Sequence, residues 1–230
     1  MIRFRGADPC NCTPRRPLIP AHCCPPPGVS FGELLTFADE FVNEPVSGAP
    51  LGWTAVLEPG SSVGRDTFTS IRLLTGIESS AVIFATDPRI RPSTDEVCAC
   101  SKIHQVAPAP PDDSGGTGFG LVEPVFPDPG MFVAAISFAV PGFWAIIWRN
   151  GGPMSVFPTT IPVTNAPQTM RLCVSPSAGT VTLSDGTITE TFLIDANFPA
   201  GSLAPVVFAQ GLASIADARV DSYCAEWRPG

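Results

Sequence analysis

SFGELLTFADEFVN, residues 30–43, admits two structures, and the choice between them decides whether the chain is all-β. Ser30 and Glu33 form a capping-box pair, in which each residue satisfies an amide at a helix start. Phe31, Leu34, Leu35, Ala38, Phe41 and Val42 recur at helical spacing. Local rules therefore predict a helix of about three turns. The residues downstream pull the other way and favour an extended second half.

Downstream, short apolar segments alternate with turn residues, which is the pattern of a sandwich or barrel. Strands are expected at 53–57, 67–75, 81–86 and 97–106. In the last, Val97, Ala99, Ser101, Ile103 and Gln105 share a face. Residues 107–120, APAPPDDSGGTGFG, read as a long loop. Residues 131–140 and 143–149 flank Pro141-Gly142 as a hairpin. Further strands are expected at 170–175, 180–183 and 187–192, the last two joined by Ser184-Asp185-Gly186, and then at 204–209 and 218–227. No internal repeat is visible.

Residues 1–30 have a different character. Seven prolines fix φ and remove amide donors there. Arg3, Arg5, Arg15 and Arg16 against Asp8 give this segment +3, which leaves −11 on the rest of a chain of net charge −8. The expected organisation is a Pro/Cys-rich basic anchoring arm, residues 1–30, followed by a β-sandwich, residues 31–230. The acidic body is a poor partner for nucleic acid, whose phosphates need clustered cations. No run of eighteen apolar residues offers a membrane span. The first residues have no apolar run behind their arginines, so synthesis in a host cytoplasm without a signal peptide is expected. Charged residues make up only 15% of the chain, which suggests surface covered by partners.

The order of the segments resembles the concanavalin A-like (laminin-G-like) jelly-roll superfamily of lectins and glucanases, as found in bacteriophage virion surface proteins. FADEFVNEPVSGAPLGWTAV supplies Asp39, Phe41, Leu51, Gly52, Trp53 and Thr54 at the places of an opening Asp-x-Phe and a Leu-Gly-x-x-Trp-Thr stretch, with the spacing before Trp53 shortened. MRLCVSPSAGTVTLSDGT and LAPVVFAQG followed by ARVDSYCAEW are similar to the family's late strands. There Arg219, Val220 and Asp221 fit the position before the final strand. The resemblance implies two antiparallel sheets packed face to face. It fixes no activity, because lectins, glycan hydrolases and virion modules share the fold.

Glycoside hydrolysis needs two carboxylates about 5–10 Å apart across a cleft. Hydrolases of this fold carry a Glu-x-Asp-x-x-Glu strand signature, which is missing here. Asp39-Glu40 and Asp95-Glu96 are adjacent and point to opposite faces of an extended chain. His22 and His104 are the two histidines, and no Gly-x-Ser-x-Gly elbow accompanies them. No catalytic residue is assigned, and the protein is expected not to be an enzyme.

Trp144 and Trp148 are four apart on one strand, so they share a face, either stacking on sugar rings or filling the core. Asp112, Asp113, Asp128 and Asp185 are loop acids of the kind that hold Ca²⁺, but they form no Asp-x-Asp motif. Eight cysteines permit complete pairing. Cys10, Cys12, Cys23, Cys24, Cys98 and Cys100 are anchoring or cross-linking candidates, and Cys173 with Cys224 is the body pair expected to bond. Cys-x-Cys pairs lack the Cys-x₂₋₄-Cys spacing of usual zinc clips, so neither Zn²⁺ nor Ca²⁺ is assigned and no cofactor is expected.

The expectation is a non-enzymatic structural or adhesive protein of a virion surface (a head decoration, fibre or tail component), anchored by its arm. Its partners would be other structural proteins, further copies of itself and host glycans. The alternatives are a lectin module recognising host-surface glycans and, third, a glycan hydrolase.

Overall fold

The computed structural model describes residues 35–42, 44–67, 69–86, 90, 96–105, 116–125, 129–137, 142–164, 166–194, 203–212 and 215–227. These residues form β1 (Leu35–Asp39), β2 (Trp53–Leu57), β3 (Ser62–Thr67), β4 (Ser70–Leu74) and β5 (Ser79–Ala85). Next come β6 (Val97–Gln105), β7 (Gly116–Val122), β8 (Met131–Ser137), β9 (Gly142–Asn150) and β10 (Ser155–Val163). The last five are β11 (Gln168–Ser175), β12 (Thr180–Ser184), β13 (Thr189–Leu193), β14 (Ala204–Gly211) and β15 (Asp217–Trp227). No helix occurs among the described residues.

Two antiparallel sheets result. One runs β13-β12-β11-β6-β15-β4-β3, with β1 also paired to β15; the other runs β10-β9-β8-β7-β14-β5-β2. Period-2 burial shows why they stack. In β5 every second residue from Ser79 is buried, and in β12 Val181 and Leu183 are buried between partly exposed neighbours. Ile71, Leu73 and Ile103 of the first sheet pack with Ile83, Phe119, Leu121 and Ile146 of the second in one core. Each such side chain removed from water contributes about 1.5–3 kcal/mol. At one margin the sheets also meet through their edge strands, where Phe157 of β10 stacks on Phe192 of β13 at 5.3 Å.

One conflict is resolved and two expectations change. Residues 35–39 are a strand, as the downstream context favoured and against the local helical pattern, while residues 30–34 lie outside the described residues. Helix propensity loses to tertiary context, because β15 pairs with β1 from Leu35↔Trp227 to Asp39↔Tyr223. Phe37 then meets Trp53 and Tyr223 edge-on, at 5.8 and 6.2 Å. The strand expected over 67–75 is a hairpin of β3 and β4, with Thr67 and Ser70 joined by their hydroxyls at its tip. The end of the expected loop at 107–120 is β7, an interior strand between β8 and β14. Residues 1–34 and 106–115 lie outside the described residues.

Candidate functional site

Carboxylates decide what chemistry these sheets support, and the strands carry six: Asp39, Asp66, Glu190, Asp217, Asp221 and Glu226. All six are engaged. Asp39 accepts the Phe41 amide and the Trp53 indole N–H, each at 2.8 Å. This closes a turn in which Phe41 takes φ 49° and is buried. Glu190 of β13 accepts both the amide and the hydroxyl of Thr160 in β10, at 2.6 Å each.

The other four belong to a charge ladder along the outer face of the first sheet. Asp217 pairs with Arg72, Asp66 with Arg219, Asp221 with Lys102 at 3.3 Å, and Glu226 with Arg171 at 4.0 Å. The hydrogen bonds that Arg72 donates to Asp217 raise the Arg72 pKa above its ordinary value, against the opposing cost of burial. In each pair a partly exposed cation covers a more buried carboxylate. Their effect is to balance the acids of β15, which carries Asp217, Asp221 and Glu226 against Arg219 alone. A carboxylate locked to a cation is poorly placed to act as a general acid.

The second sheet is different: none of its seven strands contains an Asp or Glu. Its outer face is apolar and close-packed. Val122, Ala134, Ile136, Ala145, Ile147, Ala204, Val206 and Phe208 form a buried cluster there, bordered by Val82, Phe84 and Phe132. Gly118 and Gly120 floor it, and a Cβ on Gly118 would collide with the Phe208 ring and the Ala135 carbonyl. Phe132 and Phe208 lie 5.6 Å apart across this floor. Phe143, 56% exposed, stands at the end of β9 on the same side. Within its strands this sheet has no carboxyl group to protonate a leaving oxygen.

Trp144 and Trp148 do share a face, and it is the inner one. They are 1% and 5% exposed within the core, where the Trp144 indole donates to Gln168 Oε1 at 3.2 Å. A ring so enclosed offers no surface to a sugar, so the stacking role falls away. Asp185 Oδ1 accepts the amides of Thr187 and Ile188 at 2.8 and 2.7 Å, as the maker of the β12–β13 turn. Asp112, Asp113, Asp128 and His22 lie outside the described residues, while His104 lies on β6 opposite Arg219.

The cysteine pairing also differs from expectation. Cys173 bonds to Cys98, with Cα atoms 4.1 Å apart, and Cys224 keeps a buried thiol. The sheet order gives the reason: β6 lies between β11 and β15, so Cys173 faces Cys98 while Cys224 faces Cys100. Glu96, Cys98 and Cys173 are the one cluster with metal-ligand spacing among the described residues. The disulfide uses two of its three donors. Cys100 is disulfide-bonded as well. Cys10, Cys12, Cys23 and Cys24 lie outside the described residues.

Sequence reasoning missed the acid-free sheet, although the composition of the strands displays it once β7 and β10 are recognised as strands. No protein-family model and no curated protein matches the chain. Solved structures do. An endo-1,3-β-glucanase from Streptomyces sioyaensis is similar with TM-score 0.61 at 12% identity, over 90% of this chain and 100% of the other. The carbohydrate recognition domain of Emp47p is similar with TM-score 0.59 at 12% identity, over 83% and 93%. The CBM2 module of the evolved Dit of Lactobacillus casei BL23 phage J-1 is similar with TM-score 0.58 at 10% identity, over 86% and 97%. At this identity the likeness establishes a common fold.

Proposed function

Starting from a concanavalin A-like jelly-roll sandwich, we propose that this protein is a non-enzymatic structural and adhesive component of a virion surface. It is a head decoration, fibre or tail part, made in the host cytoplasm, anchored through its N-terminal arm and assembled with copies of itself and other structural proteins. The observation that carries the reading is the acid-free, apolar sheet, together with the engagement of every strand carboxylate. A sheet with no acid in its strands lacks the paired carboxylates that glycoside cleavage needs. The fold likeness to a module of a phage Dit supports the setting.

The test is incorporation. Reversing Arg3, Arg5, Arg15 and Arg16 to Glu should abolish co-purification of the protein with assembled particles while leaving its fold intact. Normal incorporation of the reversed chain would remove the arm from the anchoring role.

A second reading, a lectin module for host-surface glycans, is favoured by one feature, the half-open aromatic border of Phe84, Phe132 and exposed Phe143. Saturable binding on a glycan array that is lost in Phe143→Ala would support it. Release of reducing ends from β-glucans by the purified chain would overturn the non-enzymatic assignment.

A further inference from the structure

Glu96 stands one residue before β6, and its company differs from that of the six strand carboxylates. No cation among the described residues pairs with it. Its Oε1 lies 3.5 Å from Cys98 Sγ instead. A disulfide sulfur has no proton to give, so in the oxidised chain this contact is not a hydrogen bond. Cys98 follows Glu96 by two residues, and extended backbone turns both side chains to one face. Val97 and Ala99 take the other face and enter the core. Across the strand pair, register sets Cys173 of β11 directly opposite Cys98. One carboxylate oxygen and two sulfurs therefore converge, all within 4.8 Å of one another.

The spacing suits a thiophilic dication. Zn–S bonds of about 2.3 Å and Zn–O bonds of about 2.0–2.2 Å, at tetrahedral angles, set two thiolates about 3.8 Å apart and a carboxylate oxygen about 3.6 Å from each. The contact of Glu96 with Cys98 already has that separation. Opposed Cβ atoms on paired strands are about 4.5–5.5 Å apart, so both sulfurs reach such positions by side-chain rotation once their bond is open. Charge favours the same ion. Arg171 donates from Nη2 to Cys98 Sγ at 3.2 Å. Its guanidinium offsets one of three negative ligands, and a dication balances the other two. Glu226, 4.0 Å from Arg171, tempers the repulsion between guanidinium and ion. Cys98 and Cys173 are buried while Glu96 is exposed, so the carboxylate marks the side from which an ion enters.

We propose that the Cys98–Cys173 bond gates a Zn²⁺ site: its reduction frees two thiolates that hold the ion together with Glu96, and water takes the fourth position. A dithiol supplies two electrons and two protons to the S–S bond and leaves as its own cyclic disulfide. Zn²⁺ then displaces the two thiol protons to solvent. In the reverse direction a disulfide accepts the two electrons, takes two protons from solvent and leaves as thiols. The Cys98–Cys173 bond re-forms and the ion is expelled. The proposal does not rest on the virion reading.

Full-length protein, reduced with a phosphine, desalted and titrated with Zn²⁺, tests this. The ion should slow alkylation of Cys98 and Cys173 by iodoacetamide by at least about tenfold, read residue by residue by tandem mass spectrometry. Glu96→Gln leaves the disulfide in place and should weaken Zn²⁺ binding by at least about tenfold, since even an outer partner of a ligand is worth about 10–100-fold. The Cys98→Ser/Cys173→Ser variant should bind one ion fewer than the reduced wild type. Protection confined to the other six cysteines, an affinity unchanged by Glu96→Gln, or a reduced chain that takes up no Zn²⁺, folded or unfolded, would overturn the proposal. The gate has its own readout. Oxidised glutathione should release the ion in step with the return of the Cys98–Cys173 bond, and an ion retained by the reoxidised chain would show that this bond is no gate.

Discussion

The Tyr223 hydroxyl of β15 donates to the Gly120 carbonyl of β7 at 2.6 Å, a single hydrogen bond that crosses the core from one sheet to the other. Trp53 and Phe119 meet the Tyr223 ring edge-on at 5.7 and 6.4 Å. Desolvation, with a smaller contribution from Cys224, raises the Tyr223 pKa well above 10.0. Tyr223→Phe should cost about 1–2 kcal/mol, the worth of one buried hydrogen bond, read by urea denaturation near neutral pH.

The same side chain predicts an alkaline limit. The folded pKa lies above the unfolded value of 10.0, so the folded chain holds its phenolic proton where the unfolded chain releases it. This contribution is fully present below pH 10.0 and is lost as pH rises toward the folded pKa. The chain has one tyrosine, so the loss should be absent from Tyr223→Phe. Parallel stability curves for the two proteins from about pH 9 to 11 would refute the assignment.

The Cys98–Cys173 bond closes a loop with a sequence separation of 75. Chain-entropy arguments assign such a loop about 4 kcal/mol. Cys98→Ala/Cys173→Ala should therefore lower the urea midpoint steeply, and peptide mapping should find no Cys173–Cys224 linkage in the wild type.

Trp144→Ala should destabilise the whole domain by about 3–5 kcal/mol, as large core truncations do. Any glycan binding should then disappear only with folding. Trp144→Phe, a milder change, should keep both, and a folded Trp144→Phe protein that has lost binding would reinstate this residue as a ligand contact.

Gly118→Val should be destabilising by at least about 1–3 kcal/mol, because the added carbons meet the Phe208 ring and the Ala135 carbonyl. Calorimetry of the purified variant measures this, and an unshifted Tm would mean that the glycine floor of the apolar face is dispensable.

What the sequence revealed follows from which forces act locally. The alternation of β5 and β12 and the Asp185 turn are visible because burial on one face and Asx chemistry leave short-range marks. Residues 35–39 carry a helical pattern that only the distant β15 overrules. β7 reads as a loop because Gly116, Gly118 and Gly120 carry no side chains, and what crowds them is distant in sequence: Ser137 and Ile136 at Gly116, Phe208 at Gly118, Val133 and Ala134 at Gly120. β10 hides behind Pro158 and Pro162, tolerated on an edge strand. The cysteine pairing depends on sheet order, which no spacing encodes. The placement of both tryptophans on one face was legible; which face it was became clear only with the second sheet in place.

The central position of β15 has a consequence for the order in which the sheets assemble. This strand pairs with β6, β4 and β1. Without it, β1 and β4 lack their link to β6, and the first sheet falls into three unconnected pieces, β13-β12-β11-β6, β4-β3 and β1. The acid-free sheet can zip up earlier, because its last strand, β14, ends at Gly211. Its inner apolar surface then stays uncovered until β15 arrives. Closure of this sandwich therefore waits on β15, the strand latest in sequence order, and is dominated by contacts distant in sequence.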